Sequence, residues 1–295
     1  MSGGISLKRL QGRRPVQRQR GIALVIVLCL ILLMSVLAAG HSRNSHVETR
    51  LATRQVESGT ARHVAEAAVN MAILELLHRD VDAAPPADGR RRELRFDDRD
   101  LVLSVRRASG LVDLNGADES LLAAVFAAAG ADADAAVAVA AATIDWRDAD
   151  EQRRLNGAEA GEYGAAGLPF GAANRNFASV DELRYVFGMT PELFRASAAY
   201  FTVHSGEAGL DLDLAPDFLV EALTGKQLQQ RQRPVAGRVR TGAFHINAAV
   251  RGSMGVLVSC EAVVLLTGKT ERPYSVLEWR ENSRLLAEPE ESEDI

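Results

Sequence analysis

Between residues 145 and 159 the chain crowds hard oxygen ligands together: Asp145-Trp-Arg-Asp148-Ala-Asp150-Glu-Gln-Arg-Arg-Leu-Asn156-Gly-Ala-Glu159. Counted with Asp148 as position one, Asp150 falls at three, Gln152 at five and Glu159 at twelve. That is the spacing with which a calcium loop turns its oxygens toward one ion. Position six is Arg153, where such a loop needs Gly for its sharp turn. Spacing alone leaves a second reading open: a solvated acidic helix end neutralised by Arg147, Arg153 and Arg154.

A second stretch, SVDELRYVFGMTPEL, resembles a helix-hairpin-helix with Gly188 between two short helices. Such hairpins hold nucleic-acid phosphates on backbone N–H groups backed by Lys or Arg. Here Asp181, Glu182 and Glu192 face only Arg184 and Arg195, which favours packing over DNA binding. Enzyme chemistry finds little support. The six histidines, His41, His46, His63, His78, His204 and His245, have no ligand spacing, and Ser205 beside His204 sits in no nucleophile elbow.

The element that places these stretches is at the start of the chain. Ile22 to Ala39 is an uncharged apolar run of eighteen residues, long enough as a helix to cover most of a hydrocarbon core. The leader before it carries Lys8, Arg9, Arg13, Arg14, Arg18 and Arg20 and no acid, so the positive-inside rule keeps that end cytoplasmic and puts everything beyond Gly40 outside. The whole chain has 295 residues and a net charge of −5, so the part after this basic leader is strongly acidic. That balance argues against nucleic acid as a partner of the exported part. Cys29 lies in the apolar run and Cys260 far downstream, so no internal disulfide staples the fold.

Helical patterning continues from His41 to His78, with Val64, Ala68, Met71, Ile73 and Leu74 in its richer half. Joined to the apolar run it predicts a helix of about 55 residues, roughly 85 Å at the usual rise. Pro85 and Pro86 stop it. RELRF and LVLSVRR around DDRD alternate as a hairpin. From Val112 to Tyr200 the chain turns helical and alanine-rich. Asn115 or Asp118, Ser179 and Thr190 are candidate N-caps; Glu182 completes a capping box with Ser179, and Pro191 sits at a first helical position. LDLDLAPDFLVEALTG then echoes VDLNGADESLLAAVFAAAG, aligning Asp113 with Asp211, Asn115 with Asp213, Ala117 with Ala215 and Leu121 with Leu219. AFHINAAVRG, GVLVSCEAVVLLTG and YSVLEWRE read as three further strands, and EPEESEDI as an acidic tail.

The junction QRG/IALVI resembles the type IV pilin and pseudopilin leader, which a prepilin peptidase cuts after the glycine. The resemblance implies cleavage between Gly21 and Ile22, with the apolar helix retained. Most members carry Glu at the fifth mature position; here it is Ile26, as in the K component of type II secretion systems. IDWRDADEQRRLNGAEAGEY, NFASVDELRYVFGMTPEL, YFTVHSG and YSVLEWRE are similar to that family as well, so that the resemblance covers most of Ile22 to Glu281. It implies an α+β fold: a pilin-like long N-terminal helix packed on an antiparallel sheet, with an inserted all-α domain. The expected divisions are a cleaved leader at 1–21, a membrane and stem helix at 22–78, a sheet domain at 79–112 and 202–286, a helical insertion at 113–201 and a tail at 287–295. The implied function is that of a minor pseudopilin at the tip of a periplasmic pseudopilus. It would assemble with the I and J components on the inner-membrane platform and support export of folded proteins. The implied location is the inner membrane, in a single pass with a periplasmic head. The family's calcium binding further implies Ca2+ on Asp148, Asp150 and Glu159, with Asp145 or Asn156 as weaker ligands. The rival function from another class is a membrane-anchored DNA-uptake receptor built on the helix-hairpin-helix.

Overall fold

The computed structural model describes residues 20–78, 87–96, 98–224, 241–252 and 256–285, with the side chains of 20–22, 37–50 and 284–285 left aside. The leader up to residue 19, the Pro85-Pro86 stop and the acidic tail lie outside the described residues. Two units, Met1–Gln55 and Val56–Ile295, are compact in themselves.

Helix α1 runs Arg20–Leu77. In the first unit its large apolar side chains from Leu24 to Val36 are exposed. The one hydroxyl there, on Ser35, donates back to the carbonyl of Ile31 at 2.8 Å, so no polar group competes with the helix. Among the described residues no helix is long and apolar enough to cross a membrane. The last residues of the apolar run, 37–39, have side chains outside the description.

In the second unit the end of α1 buries Ala61, Val64, Ala65, Ala68, Val69, Ala72 and Ile73. These recur at three- and four-residue intervals and so form one stripe, in which alanine lets the helix lie close to its neighbour. The neighbour is a five-stranded sheet: β1 (Asp88–Phe96), β2 (Arg99–Arg107), β5 (Gly242–Arg251), β6 (Val256–Leu266) and β7 (Tyr274–Leu285), in that spatial order and antiparallel throughout. Strand alternation supplies its inner face, with Leu101, Leu103 and Val105 from β2 and Val256, Val258, Cys260, Ala262, Val264 and Leu266 from β6 in one core with the helix stripe. Arg92 to Glu75 at 2.9 Å and Arg99 to Glu57 at 3.0 Å tie the first hairpin to the helix.

Between β2 and β5 the chain leaves the sheet. The departing β3 (Val112–Asp113) and returning β4 (Phe201–Thr202) form a two-residue parallel pair that closes the base of a helical layer. Buried Asp113 locks this base by accepting from the N–H of Asn115 (2.8 Å), the hydroxyl of Ser205 (2.9 Å) and the N–H of Gly206 (2.7 Å). The layer holds α2 (Glu119–Ala128), α3 (Ala133–Arg147), α4 (Ala160–Ala165), α5 (Pro191–Ser197) and α6 (Asp217–Thr224). Its core gathers Leu122, Phe126, Val139, Trp146, Tyr163, Leu183, Phe194, Phe201 and Leu219.

Asp118, not Asn115, caps α2, accepting from the N–H of Leu121 at 2.8 Å, while Asn115 bridges to the backbone of Phe177. Thr190 caps α5, with Pro191 at its start. Two expectations are corrected. SVDELRYVF forms only a 3-10 turn, Val180–Tyr185, and Ser179 makes no side-chain cap; the carboxylate of Glu182 reaches instead to the N–H of Ala178 at 3.0 Å. YFTVHSG contributes two strand residues, paired with β3 and not with the sheet. Among the described residues the next strand of the sheet is Gly242–Arg251, and α6 before it buries Leu219 in the helical core.

The sequence echo is a structural one. Asp113 takes the N–H of Asn115 on its carboxylate, and its carbonyl takes the N–H groups of Gly116 and Ala117. Asp211 does the same for Asp213, Leu214 and Ala215. Ala117 and Ala215 are both buried. One aspartate turn thus opens both α2 and α6.

Candidate functional site

The carboxylate loop joins α3 to α4. Asp148 is the C-cap of α3 in an extended conformation that throws the chain outward, and the twelve residues 148–159 lead to α4. Asp145, in the last turn of α3, is completely buried and accepts the backbone N–H of Arg154 on its two oxygens at 3.3 and 3.2 Å. Asp150 turns the exposed side of the loop by accepting from the N–H of Gln152 at 2.8 Å. Asn156 has φ 67°, the left-handed conformation that Asn tolerates, and is exposed. Gly157 follows with its α-carbon against Asp145: a Cβ there would stand 2.1 Å from Asp145 Oδ2.

The expected arginine partners do not share the work. Arg147 turns away and donates to the carbonyls of Leu114 and Ala117, holding β3 and the start of α2. Arg153 pairs with Glu162 at 3.1 Å. Only Arg154 leans across the cluster, 3.6 Å from Asp145 and 3.8 Å from Asp148. The negative charge is therefore under-compensated. Both carboxylate oxygens of Glu159 and Oδ1 of Asp148 are buried without a hydrogen-bond partner. Burial first, and then the charges of Asp145, Asp148, Asp150 and Glu151, push Glu159 up to about 7. Burial and then, against the bond from Arg154, the charge of Asp148 raise Asp145; burial and the charge of Asp150 raise Asp148.

The fold thus brings Asp145, Asp148, Asp150 and Glu159 into one field and leaves Asn156 at its rim. Orphaned carboxylate oxygens in a loop that repels itself fit a hard divalent cation in donor chemistry. Among the described residues no three His, Cys, Asp or Glu side chains stand in a geometry that could hold a metal ion, so holding one requires the loop to close in.

The hairpin around Gly188 packs. Gly188 has φ 80°, and a Cβ there would meet Val139 of α3 at 3.3 Å. Leu183, Val186, Leu193 and Phe194 are buried in the helical core. Arg184 lies 4.0 Å over the Phe194 ring and pairs with Asp181, and Arg195 pairs with Glu192 at 2.7 Å, so neither offers a free phosphate clamp. Gly21 and Ile22 fall at the start of α1, with side chains outside the description.

Spacing along the chain missed a second cluster. A cleft of about 440 Å³ between the outer face of the sheet and the helical layer brings His204 and His245 to 6.5 Å between ring centres. His204 meets Glu278 at 2.7 Å, His245 meets the Thr202 hydroxyl at 3.0 Å, and Arg280 joins Glu278 to Asp181 at 2.9 Å each. Burial, then His204, lowers His245 to about 4, aided by Arg106 and Arg280 and opposed by Glu278. A folded value below the unfolded 6.5 means stability present above pH 6.5 and lost as pH falls toward 4. The melting temperature should therefore drop over that window, and His245→Gln should shrink the drop. Identical pH profiles for the two proteins would contradict this.

The structure thus joins a long helix, whose small-residue stripe packs on an antiparallel sheet, to a helical layer inserted between strands of that sheet. Residues 20–70 match the PilX N-terminal family, and residues 102–206 match the family described as type II secretion system (T2SS), protein K. Type II secretion system protein K of Klebsiella pneumoniae is 29% identical over 205 residues, 62% of each chain. The protein of that name from Pectobacterium carotovorum subsp. carotovorum is 30% identical over 212 residues, again 62% of each. The chain thus spans 62% of the length of these relatives. In fold it is similar to a chain of the GspK-GspI-GspJ complex from the enterotoxigenic Escherichia coli type 2 secretion system, with TM-score 0.56, 18% identity, 78% of this chain and 99% of that one. The resemblance to the K component rests on a family match, on curated relatives and on fold; nothing comparable supports a DNA-uptake receptor.

Proposed function

We propose that this chain is a minor pseudopilin of a type II secretion system, placed at the tip of the periplasmic pseudopilus and needed for export of folded proteins across the outer membrane. The observation that carries this reading is the inserted helical layer, since it is over this segment, 102–206, that the chain matches protein K. The role is structural, not catalytic. Ile22 to Ala39 anchors the chain in the inner membrane in a single pass, with the basic leader cytoplasmic and the acidic head periplasmic. A prepilin peptidase removes residues 1–21, cutting between Gly21 and Ile22. Its partners are the I and J minor pseudopilins and the inner-membrane platform.

A head enlarged by a whole helical layer leaves no room for a like subunit stacked above it, and Ile26 removes the carboxylate that other subunits bring to their neighbours. Both features suit a terminal position. In the head, Asp148, Asp150 and Glu159, with Asp145 and Asn156 as weaker ligands, hold Ca2+. The ion would neutralise the loop and fix the α3–α4 turn.

Affinity purification of the full-length chain from detergent-solubilised inner membranes tests the assignment. Two smaller pilin-like subunits should co-purify. Recovery of the chain alone, or bound to DNA in a low-salt gel shift, would overturn it.

A further inference from the structure

The inner face of the sheet is filled strand by strand only as far as β6. Directly opposite the buried Leu266, Val264 and Ala262 of β6 stand Tyr274, Val276 and Trp279 of β7. Directly opposed residues share a face, so all three point to the side on which α1 lies. They are 37%, 45% and 38% exposed, whereas their β6 partners are at most 3% exposed. The cause is width: a helix about 10 Å across covers two to three strands spaced about 4.8 Å apart, and the sheet has five. Beyond Trp279 the strip ends where β7 is tacked to α1, with Arg62 to Glu281 at 2.6 Å and Ser58 to Ser283 at 3.5 Å. Among the described residues nothing covers it.

The free edge of β7 is poorly made for adding a strand. A bulge at Leu277 breaks its ladder, and Glu278, Arg280 and Glu281 put charge along it. The other edge, β1, is guarded by Arg90, Arg91, Arg92 and Arg95. What β7 offers is therefore its face: a second lane on the same apolar surface that already seats α1. We propose that Tyr274, Val276 and Trp279 form the seat of a second helix, the stem helix of a neighbouring pilin-type subunit lying beside α1. The continuity of this strip with the helix-sheet interface argues for a helix of the same kind as occupant. The proposal rests on the pseudopilin reading above.

The test places a photo-crosslinking residue at position 276 or 279 of the full-length chain in membranes that contain the other subunits, with position 96 on β1 as control. Positions 276 and 279 should crosslink to a peptide from the stem helix of a smaller pilin-like subunit, and position 96 should not. Val276→Asp should reduce the co-purified subunit at least tenfold, with the melting temperature unchanged. Crosslinks to a partner's sheet domain, to a second copy of this chain or to no protein, while the subunits still co-purify, would overturn the seat and leave the assignment standing. If the smaller subunits fail to co-purify with the unaltered chain, the pseudopilin reading falls and the seat with it.

Discussion

Cells deleted for this chain are expected to stop releasing their type II exoproteins, with external activity reduced at least tenfold and folded, active enzyme accumulating in the periplasm. The helix stripe on the antiparallel sheet has its own core. The helical layer has a separate core and meets the outer face of the sheet through polar contacts, His204 with Glu278, Thr202 with His245 and Asp181 with Arg280. A layer packed on its own core and tied to the sheet by polar contacts should be separable. Removing it, by joining residues 107 and 242, should leave a stable pilin-like domain that fails to restore secretion. Normal secretion in the deletion strain, or full rescue by the truncated form, would contradict the proposed role.

The second large effect is expected at one small residue. Gly157→Ala should destabilise the helical layer by about 1–3 kcal/mol, because the new methyl must push Asp145, which is locked in the end of α3. Nothing flexible lies in its path: the next atoms it meets are Asp145 Cγ at 2.9 Å and Arg154 Cβ at 3.2 Å. The same substitution displaces the carboxylates proposed to hold Ca2+. Calcium at a hundred times its dissociation constant adds about 2.7 kcal/mol to a protein that binds it only when folded. The wild-type head should therefore melt higher in calcium and lower in chelator, and Gly157→Ala or Glu159→Gln should lose most of that difference. Binding must displace the proton from Glu159, which is held up to about 7, so calcium stabilisation should weaken as pH falls below neutrality. A melting temperature indifferent to chelator, with no metal in the purified protein, would remove the ion from the account.

What could be read from the sequence was what depends on near neighbours. The carboxylate spacing from Asp148 to Glu159, the hairpin over residues 92–107, the cap at Thr190 and Asp118 as one of two candidate caps for α2 are set by residues close along the chain. The matched aspartates at 113 and 211 were visible as an echo, and the structure gives them the same turn. What escaped depends on distant partners. Arg147 looked like a neighbour for the acidic loop, yet its acceptors are the carbonyls of Leu114 and Ala117, about thirty residues earlier, and that withdrawal leaves the loop under-neutralised. Ser179 and Glu182 carry the letters of a capping box, but Ser179 makes no side-chain cap and Glu182 accepts instead from the N–H of Ala178. His204 and His245 meet only because β4 returns beside the sheet. The extension of the helical layer to α6 was hidden because eight residues are too few to signal on which core Leu219 would land.

The proposed cleavage between Gly21 and Ile22 is what turns the apolar run into the start of a mature subunit. N-terminal sequencing and intact mass of the chain purified from inner membranes, with and without an active prepilin peptidase, test it directly. A mature chain beginning at Ile22 when the peptidase is active, and the unprocessed form when it is not, is the predicted result. A chain still beginning at Met1 under both conditions, or one beginning beyond Gly40 with its apolar helix gone, would contradict it.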